Sequence, residues 1–264
     1  MIHLIPVILI CIGISAVAGL IFGLFGGGSG ILMVPGYYYL LTHFQLAPSH
    51  YMQTAIATTA MASLILGSFS ARVQLKAKHV DMAIVKKISI GLSVGAVLAV
   101  LLLNVIPSVF LKKLFGVVVA LVAVWMWFYR QEKDLKQWSI TGFINHVRTF
   151  FIGLLWFLVG VAVFTVPYLH KSGLNMRRAV GTATMIGAIF SGVAAVLLMT
   201  TGAFQIGATP MHIGYVNLLL LVVSLAPSSL AGHYGSKLSH RFPMHIMKKM
   251  YSGLVFLVAI LMLI

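Results

Sequence analysis

The sequence predicts an all-α polytopic membrane protein, and three features carry this prediction. Of its 264 residues, 61% are hydrophobic and only 8% are charged, whereas a soluble domain carries about a quarter charged residues. The apolar stretches provide seven to eight crossings of about 20 residues each. A glycine-rich break interrupts the first of these stretches. No soluble domain of useful size is left over.

The first apolar stretch, residues 2–42, contains no Asp, Glu, Lys or Arg, yet it includes a run of glycines. Glycine costs about 1 kcal/mol relative to alanine in a helix. Non-helical backbone at membrane depth is tolerated where it is buried in protein or lines a cavity. There, the N–H groups that begin the next helix can bind an anion, although glycines can instead serve close helix packing. The predicted anion-binding residues are Gly26, Gly27, Gly28, Ser29 and Gly30.

The chain repeats itself in the same order in its two halves. Val-Pro at residues 34–35 recurs at 166–167, and residues 55–59 match residues 179–183 at an offset of 124. Pro107 matches Pro243, and residues 111–115 match residues 247–251, all at an offset of 136. Ordered repeats of this kind are typical of transporters built from two related halves. The sequence thus predicts two four-segment repeats, each with a glycine-broken or re-entrant first segment. The expected parts are a first half at 1–130, a polar linker at 131–149 and a second half at 150–264.

The basic residues between the segments predict the orientation in the membrane. Suppose that residues 2–42 cross the membrane once and then form a hairpin that enters it only halfway. Suppose also that the second half begins with such a hairpin and has no crossing before it. Sixteen basic residues then lie on one face and two, Lys112 and Lys113, on the other. Because cytoplasmic loops carry the excess of Lys and Arg, we expect inverted repeats in a bacterial-type inner (cytoplasmic) membrane. The N-terminus is expected in the cytoplasm and the C-terminus outside.

Hydroxyl and guanidinium groups add further candidates for anion binding. Threonines cluster in both repeats, and two of them four residues apart share a helix face. The alternative for these hydroxyls is a hydrogen bond to a carbonyl of the preceding turn. Arginine binds oxyanions through its fork of donors, or it anchors a helix end at the interface. The candidates are Thr54, Thr58, Thr59, Thr182, Thr184, Arg72 and Arg177.

Other kinds of site have little support in the sequence. The ten histidines show no metal-ligand spacing, and a single cysteine, Cys11, excludes an intramolecular disulfide or a cysteine cluster, so no cofactor is expected. The cations, with a net charge of +15, are scattered between apolar segments, which argues against a nucleic-acid partner. Asp81, flanked by Lys78 and Lys86, is expected to form a surface ion pair. The expected partners are the lipid bilayer and a small anionic solute.

Residues 19–35, a glycine run that ends in Val-Pro, resemble the signature of the TauE/SafE sulfite exporter family. Residues 55–59 and 179–183 resemble that family's Ala-x-Gly-Thr-Ser segment, and the resemblance covers essentially the whole chain. It implies a transporter of small anions such as sulfite, sulfonates or related organosulfur compounds. The second half departs from the pattern, because residues 158–164 lack the glycine run. We therefore expect the anion to be held mainly at residues 26–30.

Two alternatives to transport stay open at the level of sequence. One is a membrane scaffold or assembly protein, which would tolerate polar replacements at the threonines. The other is an intramembrane serine hydrolase, in which Ser29 and His233 would form a dyad. These two residues lie on different halves of the chain, 204 positions apart. We therefore expect a protein that is not an enzyme.

Overall fold

The computed structural model describes residues 4–25, 28–47, 49–128, 142–159, 165–207, 209–238 and 244–264. Within these residues the chain is almost entirely helical, with one short antiparallel hairpin of two strands. The elements are α1 (Leu4–Phe25), α2 (Gly30–His43), α3 (Tyr51–Lys76), α4 (Met82–Val105), α5 (Ser108–Phe128), α6 (Phe143–Val159), α7 (Thr165–Lys171), α8 (Met176–Ile206), β1 (His212–Ile213), β2 (Val216–Asn217), α9 (Leu218–Leu238) and α10 (Met244–Leu263).

The helix lengths fit a membrane protein with several crossings. Among the described helices, α1, α3, α4, α5, α8 and α9 are long and apolar enough to span a bilayer. Shorter apolar stretches lie in α6 and α10. The prediction of a multi-pass helical membrane protein is thereby confirmed. The short helices α2 and α7 follow α1 and α6 closely along the chain.

Two pairs of parallel helices touch through glycines. In the α1–α9 pair, a Cβ atom on Gly19 would lie 2.2 Å from the carbonyl oxygen of Ser228. In the α4–α6 pair, a Cβ atom on Gly153 would lie 2.5 Å from the carbonyl oxygen of Leu92. Only a residue without a side chain allows two backbones to approach this closely, a device common between membrane helices. Each pair joins a helix of the first half to one of the second.

Two further pairs, α3–α8 and α5–α10, run antiparallel and also join the two halves. Their directions follow from which residues meet along each pair. The meeting residues are Gly67 with Ala188 and His79 with Gly181 for α3–α8, and Gly116 with Leu263 and Ala123 with Ser252 for α5–α10.

These directions place the connections at two ends of the bundle. The end that we call the hairpin end carries residues 44–47 and 49–50, the turn at 106–107 and the β1–β2 hairpin. The opposite end, which we call the basic end, carries residues 77–81 and 172–175. The described Lys and Arg residues, apart from Lys112 and Lys113, lie near the basic end.

The first and last described helices have their outer ends on one side of the bundle, and the membrane faces expected for the chain ends stay a prediction. The start of α1 lies at the hairpin end, and α10 also runs toward that end. Helices α1 and α2 run antiparallel, with Gly36 of α2 packed against Ile14 of α1, so α2 returns to the end at which α1 starts. In the second half, the Tyr168 hydroxyl of α7 donates to the Asn145 side chain of α6, and α6 begins at Phe143, inside the predicted linker at 131–149.

Candidate functional site

The break between α1 and α2 is buried inside the protein. Gly28, Ser29 and Gly30 are all buried, and Ser29 is only 2% exposed; Gly26 and Gly27 lie outside the described residues. Helix α2 starts with a hydrogen bond from the N–H of Met33 to the carbonyl of Ser29 at 2.9 Å. The N–H groups of Ile31 and Leu32 also donate, to the carbonyls of Gly28 and Ser29 at 3.2 and 3.1 Å, so the first turn is hydrogen-bonded and its start carries the partial positive charge of the helix dipole. The break thus presents a positive helix end to the protein interior.

Tyr251 of α10 covers this break. The tyrosine is buried, and its hydroxyl donates to the Gly28 carbonyl at 3.4 Å. Gly28 has φ +86°, and a Cβ atom there would lie 2.2 Å from the tyrosine oxygen. Glycine is required at this position for both reasons. Tyr251 was not among the predicted site residues, although the repeat aligns it with Phe115, which has no hydroxyl.

The predicted threonines do not converge on one site. Thr58 of α3 accepts a hydrogen bond from the N–H of Asn217 at the hairpin end, whereas Thr182 of α8 accepts one from the N–H of Asp81 at the basic end. Because Gly67 of α3 lies beside Ala188 of α8, about 15 residues of α3 separate the two levels, which corresponds to roughly 23 Å along the helix axis. Thr184 donates to the carbonyl of Val180 in its own helix. These three hydroxyls therefore have structural partners.

Thr54 and Thr59 of α3 behave differently. Both hydroxyls are buried, and neither has a hydrogen-bond partner among the described residues. The hydroxyl of Thr165, in α7, is a third such group. A buried polar atom without a partner is costly and calls for an explanation. The threonines that instead bond back to their own helix are Thr42, Thr149, Thr184, Thr200 and Thr201.

Tyr37 joins this set of buried hydroxyls. It lies on the buried face of α2 with no exposed surface. Ser15 of α1 and Ser224 of α9 flank its hydroxyl, yet no described residue completes a hydrogen bond with it. The sequence analysis did not single out Tyr37, because aromatic residues are ordinary in apolar helices. Its position two helical turns beyond the break was the available signal.

The predicted arginines lie at the basic end. Arg72 and Arg177 are both exposed, and the Arg72 guanidinium lies 6.0 Å from the ring centre of Phe69. Asp81 forms its ion pair with Arg178 at 3.1 Å, a partner that the chain's linear order did not suggest. The exposed arginines are thus placed to attract anions to the surface, whereas the buried hydroxyls lie inside.

The two residues of the hydrolase alternative are in different environments. Ser29 is buried, and His233 is exposed on α9. No hydrogen bond joins these two described side chains. A serine and histidine that act together need hydrogen-bond contact or close approach.

Comparison with known proteins agrees with this architecture. The chain matches the family described as Sulfite exporter TauE/SafE over residues 11–262. It is 24% identical over 256 residues to a "Probable membrane transporter protein" of Haemophilus influenzae, covering 96% of this chain and 97% of that protein. A second "Probable membrane transporter protein", from Methanocaldococcus jannaschii, is 23% identical over 99% of this chain and 96% of its own length. No solved structure gives a significant match. The chain belongs to the TauE/SafE sulfite exporter family.

Proposed function

We propose that this protein is a secondary transporter that moves small anions, such as sulfite, sulfonates or related organosulfur compounds, across a bacterial-type cytoplasmic membrane. The observation that carries the proposal is the set of buried hydroxyls without partners, Thr54, Thr59 and Tyr37, on two helices that pack together. One of these helices begins at the buried break. Hydroxyls and helix N-termini are suitable ligands for a small oxyanion.

We further propose that the chain consists of two inverted repeats that work by alternating access. Exchanging each helix of α1–α5 with the helix of the same rank in α6–α10 reproduces the most extensive helix–helix contacts of the described residues. The α1–α9 pair becomes α6–α4, while α3–α8 and α5–α10 map onto themselves. The antiparallel direction of the last two pairs is what a two-fold axis in the membrane plane requires.

The transport proposal is tested with purified protein in proteoliposomes. Uptake of sulfite, sulfate, a small sulfonate and a neutral solute is measured with and without a pH gradient. We expect at least one of the sulfur oxyanions to enter at roughly ten times the rate seen in protein-free liposomes, and the neutral solute to enter at the same rate in both. Equal rates for all solutes in both preparations would refute the proposal.

The orientation follows from the basic end. Because excess Lys and Arg mark the cytoplasmic face, we propose that the basic end faces the cytoplasm and that both chain ends face outside. A reporter active only in the cytoplasm should stay inactive when fused to the C-terminus. The same reporter inserted between Lys78 and His79, in a loop at the basic end, should be active. The reverse pattern would show that the protein inserts the other way round.

A further inference from the structure

Two hydrogen bonds of the same kind lie at opposite ends of the bundle. At the hairpin end, the N–H of Asn217 donates to the hydroxyl oxygen of Thr58 at 3.0 Å. At the basic end, the N–H of Asp81 donates to the hydroxyl oxygen of Thr182, also at 3.0 Å. The two threonines lie in the long helices α3 and α8, whereas Asn217 and Asp81 directly precede α9 and α4. Thr58 and Thr182 are fully buried.

The donor of each bond also caps a helix. The side chain of Asn217 accepts from the N–H of Leu220 at 3.0 Å, and that of Asp81 accepts from the N–H groups of Ala83 and Ile84 at 3.2 Å. A residue in this role satisfies the first turn of its helix and fixes where the helix begins. Each threonine thus holds the start of a helix, α9 in one case and α4 in the other.

The sequence shows independently that the two bonds are duplicates. Thr58 and Thr182 are 124 residues apart, and Asp81 and Asn217 are 136 apart. These are the offsets at which the repeated segments match. Both bonds also connect the two halves, because Thr58 and Asp81 belong to the first half and their partners belong to the second.

We propose that these two hydrogen bonds are the latches of alternating access, one for each side of the membrane. This inference rests on the proposed transport function. Opening a path at the hairpin end requires α3 to part from α9, which breaks the Thr58–Asn217 bond. Opening at the basic end requires α8 to part from α4, which breaks the Thr182–Asp81 bond. Both bonds are formed in this structure, so it represents the protein closed at both ends.

The chain offers a matched pair of positions for the test. Ala55 and Ala179 lie three residues before the two threonines, each toward its own end of the bundle, and neither has any exposed surface. The only cysteine is Cys11, so the Cys11→Ser variant is free of thiols. In that background, Ala55→Cys reports opening at the hairpin end and Ala179→Cys reports opening at the basic end. The rate of reaction with a soluble maleimide is measured on purified protein in detergent.

The two latch variants should have opposite effects on the reaction rates at the two reporter positions. With Thr58→Val, we expect the reaction at Ala55→Cys to become roughly threefold to tenfold faster, in line with the net contribution of one hydrogen bond, and the reaction at Ala179→Cys to become slower. Thr182→Val should do the opposite. Thr58→Ser and Thr182→Ser keep the hydroxyl and should restore the parent rates. Thr200→Val, at a threonine that bonds only within its own helix, should leave both rates unchanged.

Two outcomes would overturn the inference. If either latch variant accelerates the reaction at both reporters, the threonine merely stabilises the bundle. If neither variant changes either rate, the bonds do not limit opening. Because no solute is added, these results do not depend on whether the protein transports sulfite, so failure of the transport proposal is seen separately in the proteoliposomes.

Discussion

Replacing Gly28 with alanine is expected to abolish transport. The alanine would need a backbone with φ +86°, which costs about 1–3 kcal/mol in a residue other than glycine. Its Cβ would also lie 2.2 Å from the Tyr251 oxygen, so the turn that begins α2 has to move. We expect the uptake rate to fall at least tenfold while the protein still inserts into the membrane. Uptake in proteoliposomes and the amount of protein in membranes are the two measurements.

Tyr251→Phe separates the two causes of this loss. Without the hydroxyl, the nearest atom to the new Cβ is the ring carbon at 3.2 Å, so Gly28→Ala combined with Tyr251→Phe should recover part of the transport. Gly13→Ala is the matched control, because a Cβ at Gly13 meets nothing within 4 Å. Full activity of Gly28→Ala would show that the break does not contribute to the site.

Removing the hydroxyls without partners is the second change with a large expected effect. In Thr54→Val, Thr59→Val and Tyr37→Phe, we expect transport to fall about tenfold or more and the protein to become more stable. A buried hydroxyl without a partner costs about 1–3 kcal/mol, and an apolar group of similar shape removes that cost. Thermal unfolding in detergent and uptake in proteoliposomes are measured for each variant.

The expected loss of transport and gain in stability have opposite signs, and this combination makes the experiment decisive. A hydroxyl with a structural role would lower stability when lost, and transport would fall only in proportion to the folded protein. Thr201→Val is the control, because its hydroxyl donates to Leu197 in its own helix. Unchanged transport in all three test variants would remove these hydroxyls from the site.

Most of the architecture could be predicted from the sequence, because apolar length and turn residues are local properties. The helices lie where apolar stretches were found. Asp81 caps the start of α4, as expected of a short polar residue that precedes an apolar run. The α1–α2 hairpin was harder to foresee. The start of the chain could form a crossing followed by a hairpin, or it could form one hairpin alone. Both arrangements leave residues 44–50 on the same side of the membrane, so the charges of the loops cannot distinguish them.

The candidate site was less predictable than the fold, because the residues that contact one another there come from distant parts of the chain. Thr58 and Thr54 look alike in the sequence, yet one hydroxyl meets the N–H of Asn217 and the other meets no described partner. Tyr37 and Tyr251 were missed for a related reason. A tyrosine in an apolar helix becomes noteworthy only when the fold places its hydroxyl away from water, beside a broken helix.

The glycine contacts between helices also determine the order in which the protein can assemble. Helices α4 and α6 are near neighbours along the chain, so the surface around Gly153 is covered soon after α6 is made. Helix α1 has to wait much longer, because the partner of Gly19 lies in α9, which begins only at Leu218. During synthesis, α1 is therefore made long before its partner α9, and a ribosome that stops before α9 leaves the surface around Gly19 uncovered.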